Sequence, residues 1–207
     1  MRGVCSRKVL REFESLSPVR ALAFPRPNAK PPTVGRQRAT VQKLIKSIMD
    51  NKIVTYKEWK FEVDEESTKR TYTQNPLGGA DGCECKDCKN FVNNRDIVYP
   101  DEIRELFVKL GIDYKKESEV CHYARLEDRL HFYGGWFHFK GGILRGQDCR
   151  VFHSETTNTF ELQKVTDNFS IGFTLGNSPA LFESLEGLVQ IEFEAKIPWT
   201  INEEESE

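Results

Sequence analysis

The hydrophobic period of the chain changes in its second half. Beyond Glu117, apolar and polar residues alternate with a period of two almost to the C-terminus. The clearest apolar faces run along Phe169, Ile171, Phe173 and Leu175, and along Val189, Ile191, Phe193, Ala195 and Ile197. A period of two is typical of β-strands that bury one face and expose the other to water. The pattern therefore predicts an antiparallel, strand-rich second half.

The first half contains two segments with helical spacing. Pro100 begins the clearer one, and Gly111 supplies the left-handed residue that commonly follows a helix. Its apolar stripe consists of Ile103, Leu106, Phe107 and Leu110. The earlier helix has an apolar face made of Val41, Leu44, Ile45, Ile48 and Met49. Both stripes are typical of helices that pack one side against a core.

A strand is predicted between the two helices. Trp59, Phe61 and Val63 alternate with charged residues, so a first strand starts near Val54. Early helices followed by many amphipathic strands predict an α+β fold, with two or three short helices packed at one face or end of an antiparallel sheet. We expect one α+β domain over residues 41–202, followed by a solvated acidic tail over 203–207.

Residues 1–40 differ in composition from the rest of the chain. Nine Lys and Arg stand against two Glu there, a charge of +7 that leaves −9 for the remainder of a chain whose total is −2. The prolines of this segment are Pro18, Pro25, Pro27, Pro31 and Pro32. Few large apolar residues accompany them, so a disordered basic arm is predicted. Three interpretations of this arm remain open: a dispensable extension, a targeting segment, or an arm that binds an acidic partner.

Composition also restricts partners and location. An acidic body is poorly suited to gripping phosphate backbones, so nucleic-acid binding by the main domain is not expected. The sequence contains no run of eighteen or more apolar residues, so no membrane span is predicted. The N-terminal segment lacks the apolar region of a secretory signal. We therefore expect a cytoplasmic protein with reduced thiols.

Half of the six cysteines lie in the stretch GCECKDCKNF, as Cys83, Cys85 and Cys88. A C-x-x-C pair in a turn presents two thiolates at the separation that zinc requires, and Cys83 joins them if the chain bends at Glu84. A fourth ligand is then needed. The candidates are Cys121, His122, Cys149 and His153, of which Cys121 and His122 enter the predicted site. Without a second C-x-x-C, this signal is weaker than that of a paired zinc ribbon.

Two alternatives to zinc remain open for the cysteine cluster. Cys85 and Cys88 could begin a short helix running toward Val92, where the helix dipole and nearby lysines would lower a thiol pKa and favour redox chemistry. No βαβ pattern precedes them, which a thioredoxin-like site would need. Cysteines are also small, readily buried side chains, so a cluster can simply pack in a turn.

The string C-x-C-x-x-C-x-N-F is followed by the helix ending Leu110-Gly111-Ile112-Asp113 and by a C-terminal strand that closes in Ile197-Pro198-Trp199. Together these features resemble a group of uncharacterised bacterial proteins. The resemblance covers roughly Tyr56 to Asn202 and excludes the basic arm. It implies a self-contained domain, and it implies no particular activity.

An aromatic segment surrounds the dipeptide Gly134-Gly135, which predicts a two-residue type I′ hairpin. Pairing outward from that turn places His131, Tyr133, Trp136 and His138 on one face, as a candidate ligand or metal site. The opposite face, formed by Leu130, Phe132, Phe137 and Phe139, would meet the core. An exposed aromatic ladder that only stabilises the hairpin is the simpler interpretation. A bulge in one long strand would dissolve the pairing.

These observations favour a non-enzymatic domain that binds another protein or a small ligand, with zinc bracing the cysteine loop. The alternative is a thiol-based or metal-dependent enzyme that uses Cys85 and Cys88, or His131 and His138. The sequence contains no recognisable catalytic signature such as a nucleophile elbow or a phosphate-binding loop.

Overall fold

The computed structural model describes residues 51–154, 157–176, 181–184 and 186–205. They belong to one compact unit, Asn51–Glu207. The predicted basic arm and the helix predicted from Val41 to Met49 lie outside the described residues. None of the described helices is long and apolar enough to cross a membrane.

The described elements confirm the α+β fold. The helices are α1 Glu65–Gln74, α2 Lys86–Val98 and α3 Asp101–Leu110. The strands are β1 Lys52–Tyr56, β2 Trp59–Val63, β3 Glu119–Arg125, β4 Leu130–Arg145, β5 Arg150–Phe152, β6 Asn158–Phe160, β7 Gln163–Thr166, β8 Phe169–Leu175 and β9 Leu188–Pro198. Strands thus dominate the second half, as the period of two predicts.

Seven strands form one antiparallel sheet in the order β1-β2-β4-β9-β8-β7, with β3 also paired to β4. Strand β4 is the centre of this sheet. Its residues 130–140 pair with β9, its first half pairs with β3 on the other side, and its last residues pair with β2. Strands β5 and β6 form a separate two-stranded ribbon. The centre of the sheet is therefore hydrogen-bonded along both edges.

The core lies between the helices and one face of the sheet. Phe91 of α2 has its ring centroid 6.1 Å from that of Phe193, and Phe107 of α3 lies 4.8 Å from Phe137. Tyr99, between these helices, contacts rings of both α3 and the sheet. The apolar faces predicted for β8 and β9 are confirmed, except that Leu175 is 62% exposed.

The helix predicted after Pro100 is confirmed. It ends at Gly111, which has a φ of 79° and donates its N–H to the carbonyls of Phe107 and Val108. That left-handed geometry favours glycine because it has no Cβ to clash with the backbone. The four predicted apolar residues of this helix are all buried.

The polar stretch after β2 forms α1, a helix that the sequence analysis does not predict. Asp64 accepts a hydrogen bond from the N–H of Ser67 at 2.9 Å, which caps the helix. Only Thr68 and Tyr72, four residues apart, are buried. So narrow a buried stripe explains why periodicity alone does not identify this helix.

The predicted hairpin at Gly134-Gly135 is wrong, because both glycines lie inside the single strand β4. The register with β9 runs unbroken from Leu130 opposite Pro198 to Lys140 opposite Leu188, without a bulge. The glycines serve close packing instead of a turn. A Cβ on Gly134 would lie 2.5 Å from the ring of Tyr123, and one on Gly135 would lie 2.5 Å from the carbonyl oxygen of Glu119.

Candidate metal centre

The loop before α2 is held by a buried ionic network. Glu117 is fully buried and accepts hydrogen bonds from the N–H of Ala80 at 3.0 Å and from Arg95 at 2.5 Å. Arg95 also pairs with Asp81 at 2.7 Å. Asp81 accepts a hydrogen bond from the N–H of Gly78 at 2.8 Å. Buried charges need such partners, and this network fixes the chain just before the cysteines.

The three cysteines converge where α2 begins. Cys85 is the N-cap residue, and its Sγ accepts a hydrogen bond from the N–H of Cys88 at 3.4 Å. The Sγ atoms of Cys83 and Cys85 are 3.3 Å apart, and all three Sγ atoms lie within 4.8 Å of one another. Cys88 is buried, while Cys83 and Cys85 are half-buried. The predicted convergence of these thiols is confirmed.

This group of thiols could hold a metal ion. A tetrahedral zinc with Zn–S bonds of about 2.3 Å needs sulfurs about 3.8 Å apart. The 3.3 Å between the Sγ atoms of Cys83 and Cys85 therefore has to open by about 0.5 Å. The sulfurs lie beside the first turn of α2, and zinc would bind them in their deprotonated thiolate form.

The predicted fourth ligands do not join the cluster. Among the described residues, the group of potential ligands that lie together contains the three cysteines alone. Cys121 faces Glu119, with Sγ 3.9 Å from Oε1, and burial raises its pKa to about 11. Cys149 is buried against Gly172. His153 is exposed and shares a 2.8 Å hydrogen bond with Thr159.

His122, another predicted ligand, lies beside the first turn of α2. Its Nδ1 is 3.6 Å from a carboxylate oxygen of Asp87, and its Nε2 is 3.0 Å from Nδ1 of His131. Burial lowers the pKa of both histidines, although the carboxylate of Asp87 partly opposes this. The hydroxyl of Tyr133 donates to the carbonyl of Asp87 at 3.1 Å. The contact between His122 and His131 cannot be predicted from the sequence, because it depends on the register between β3 and β4.

The remaining motif residues, Asn90 and Phe91, connect α2 to the end of β9. Asn90 is fully buried, donates to the carbonyl of Pro198 at 3.1 Å and accepts from the N–H of Thr200 at 2.8 Å. Phe91 packs its ring on Tyr133 at 5.6 Å. The segments C-x-C-x-x-C-x-N-F and Ile197-Pro198-Trp199, which lie far apart in the sequence, therefore meet in space.

The four residues of the predicted aromatic site do not share a face, because β4 is one strand with alternating sides. His131 and Tyr133 face the helices, and the ring of His131 packs against that of Trp199 with centroids 4.8 Å apart. Trp136 and His138 point to the opposite side. The expectation of one joint ligand site at His131, Tyr133, Trp136 and His138 is therefore wrong.

The side of the sheet facing away from α2 and α3 carries a buried polar chain, and we call this side the polar face. His138 Nδ1 is 3.0 Å from the hydroxyl of Ser118, and His138 Nε2 is 3.2 Å from Oε1 of Gln190. Gln190 donates in turn to Glu192. Burial lowers the pKa of His138 to about 4 and raises that of Glu192 to about 7.

Comparison with known protein families, with curated proteins and with solved structures found no match. The described chain is an α+β domain with a three-cysteine cluster that could hold a metal ion at the start of a helix.

Proposed function

We propose that this chain is a non-enzymatic interaction domain in which Cys83, Cys85 and Cys88 hold a zinc ion. The observation that carries the proposal is the convergence of three sulfurs at the N-cap of α2. Three thiolates suit zinc, and a water molecule or a partner's side chain completes the tetrahedron. Thiolate ligands stay reduced in the cytoplasm, the compartment we propose.

Zinc in this position would brace the join between the loop and α2. The loop is already fixed as far as Asp81 by Arg95, and α2 is fixed from Asn90 onward by β9. The metal would fix the residues between these two anchors. Its proposed role is therefore a local brace that keeps the start of α2 in place for an interaction partner.

Elemental analysis of protein purified without chelator tests this proposal. We expect about one zinc per chain in the wild type and near-complete loss in Cys88→Ser, because removing one of three thiolates leaves too few ligands. Cys121→Ser is the matched control and should keep its zinc, since Cys121 lies outside the cluster. Metal-free wild-type protein, or equal zinc content in both variants, would overturn the proposal.

A second candidate function is thiol chemistry at Cys85. It is favoured by one observation: the Sγ of Cys85 caps α2, accepts the N–H of Cys88 and lies next to the two other thiols of the cluster. If this candidate holds, metal-free folded protein should react with iodoacetamide at Cys85 faster than unfolded protein at pH 7. Equal or slower reaction in the folded protein would reject thiol chemistry and leave the zinc proposal untouched.

A further inference from the structure

The described end of the acidic tail lies across the first turn of α2. Lys86 Nζ donates to the carbonyl oxygens of Glu204 at 2.9 Å and of Glu205 at 3.3 Å. Lys89 Nζ pairs with the carboxylate of Glu203 at 2.9 Å. The expectation of a simply solvated tail is therefore incomplete, because Glu203 and Glu204 are exposed to water and yet bound to the helix.

The carboxylate of Glu205 lies over the edge of the sheet. It accepts a hydrogen bond from Arg125 Nε at 2.5 Å, and its Oε2 is 3.9 Å from Nε2 of His131. The His131 side chain is fully buried, and its Nε2 has no hydrogen-bond partner. A buried ring nitrogen without a partner is costly, so one aimed at a bound carboxylate indicates a site shaped for an anion.

We propose that the surface formed by Lys86, Lys89, Arg125 and His131 binds an acidic segment of a partner protein, and that the chain's own tail occupies this surface in cis. The tail shows the recognition chemistry. Lys89 and Arg125 each take a carboxylate, and those carboxylates are two residues apart. Lys86 takes main-chain carbonyls, so its contacts are independent of sequence. The partner motif is therefore an acidic residue, any residue and a second acidic residue.

The tail can dissociate from this surface while the domain stays folded. Thr200, just before it, is fixed separately through its N–H to Asn90 and its hydroxyl to Asn94. The side chains of Lys89 and Glu203 are 49% and 47% exposed, so their pair is screened and weak. The tail is a weak ligand that occupies the surface because it is tethered close to it. A segment that binds the surface more tightly can therefore displace it.

This inference rests on the proposed interaction role and names the class of partner, but it does not require zinc. The probe is a fluorescent peptide with the sequence of residues 200–207, TINEEESE. We expect the full-length double variant E203Q/E205Q to bind it at least tenfold more tightly than the wild type, whose own tail competes. Adding R125Q to the double variant should weaken binding about threefold to fivefold, because a partly exposed Arg–carboxylate contact is lost.

Arg145→Gln, in the same double-variant background, is the matched control, since Arg145 is an exposed arginine at the far end of β4. It should leave the affinity unchanged, and a peptide with glutamine at every glutamate should not bind. Absence of saturable binding to E203Q/E205Q, or equal affinity with and without R125Q, would overturn the inference. Zinc content is measured on the same samples. Failure of peptide binding with zinc present rejects this inference alone, and binding without zinc rejects only the metal.

Discussion

At the scale of single residues, His138 and Glu192 on the polar face respond to pH in opposite directions. The pKa of His138 is about 4 in the folded protein, below its ordinary value of 6.5, because burial disfavours the imidazolium. Its contribution to stability is present above pH 6.5 and is lost as the pH falls toward 4. Glu192 has a pKa of about 7 for the same reason, above its ordinary 4.5. Its contribution is present below pH 4.5 and is lost as the pH rises through 7.

These opposite signs predict the pH dependence of two variants. As the pH falls from 7 to 5, the contribution of His138 to the unfolding free energy of the wild type decreases by about 2 kcal/mol. The contribution of Glu192 increases by a similar amount over the same range. His138→Gln should therefore become more stable on acidification relative to the wild type, by about 2 kcal/mol. Glu192→Gln should become less stable. Urea unfolding at both pH values measures the change within each variant, so any constant offset cancels.

The control for this experiment is His153→Gln, which replaces an exposed histidine in the β5–β6 ribbon. It should follow the wild-type pH dependence. If His138→Gln also follows the wild type, His138 is charged in the folded protein near pH 6 and the account of its burial is wrong.

At the scale of elements, Asn90 is the main polar connection between α2 and the end of β9. Its side chain bonds to Pro198 and Thr200 within a buried environment, so Asn90→Ala leaves the N–H of Thr200 without this acceptor and leaves the Pro198 carbonyl with only the 3.2 Å bond from Asn94. We expect a loss of about 1–3 kcal/mol in unfolding free energy. Asn93, one position outside the buried face, bonds only to the hydroxyl of Thr200 at an exposed site. Asn93→Ala should cost less than about 0.5 kcal/mol by the same urea titration.

A comparable loss in the two asparagine variants would contradict this interpretation, since it would mean that burial of the amide adds nothing. The asparagine of C-x-C-x-x-C-x-N-F thus fixes the C-terminal end of the domain to α2. This role does not depend on the three thiols.

Elements with a wide apolar stripe were predictable, and elements that depend on distant partners were not. The helix after Pro100 and the faces of β8 and β9 follow from local periodicity. Helix α1 buries only Thr68 and Tyr72, so its sequence has too few periodic apolar residues to predict a helix. Gly134-Gly135 resembles a turn because both a hairpin and close strand packing require glycine. Only the neighbours Tyr123 and Glu119 decide between them.

The candidate site was also predictable only in part. Convergence of Cys83, Cys85 and Cys88 follows from their spacing, because six consecutive residues cannot separate far in a turn. The fourth ligand depends on which face of β3 each residue occupies. Cys121 and His122 are neighbours on that strand and point to opposite sides, and His122 is engaged by His131. The acidic tail contacts depend on where β9 ends, which composition does not encode.

Stability is unevenly distributed over the described part of the chain, and removal of the proposed zinc should reveal this. Strands β4 and β9 lie at the centre of the sheet, with neighbours on both sides and a wholly buried apolar face. The cysteine loop lies at one end of α2, where two of the three thiols are only half-buried. Local opening costs least where few apolar contacts hold the chain.

Hydrogen exchange before and after treatment with EDTA tests this distribution. The amide of Cys88 bonds to the Sγ of Cys85, and the amide of Lys89 bonds to the Cys85 carbonyl at 3.1 Å. If zinc is bound as proposed, both should exchange about tenfold faster or more after EDTA removes it. Amides of Phe137 and Ile191 should keep their protection, because the buried network of Arg95 and the aromatic core do not involve the metal. Loss of protection throughout would show instead that the ion is required for the entire fold, as in zinc fingers, and that the local brace proposed here is wrong.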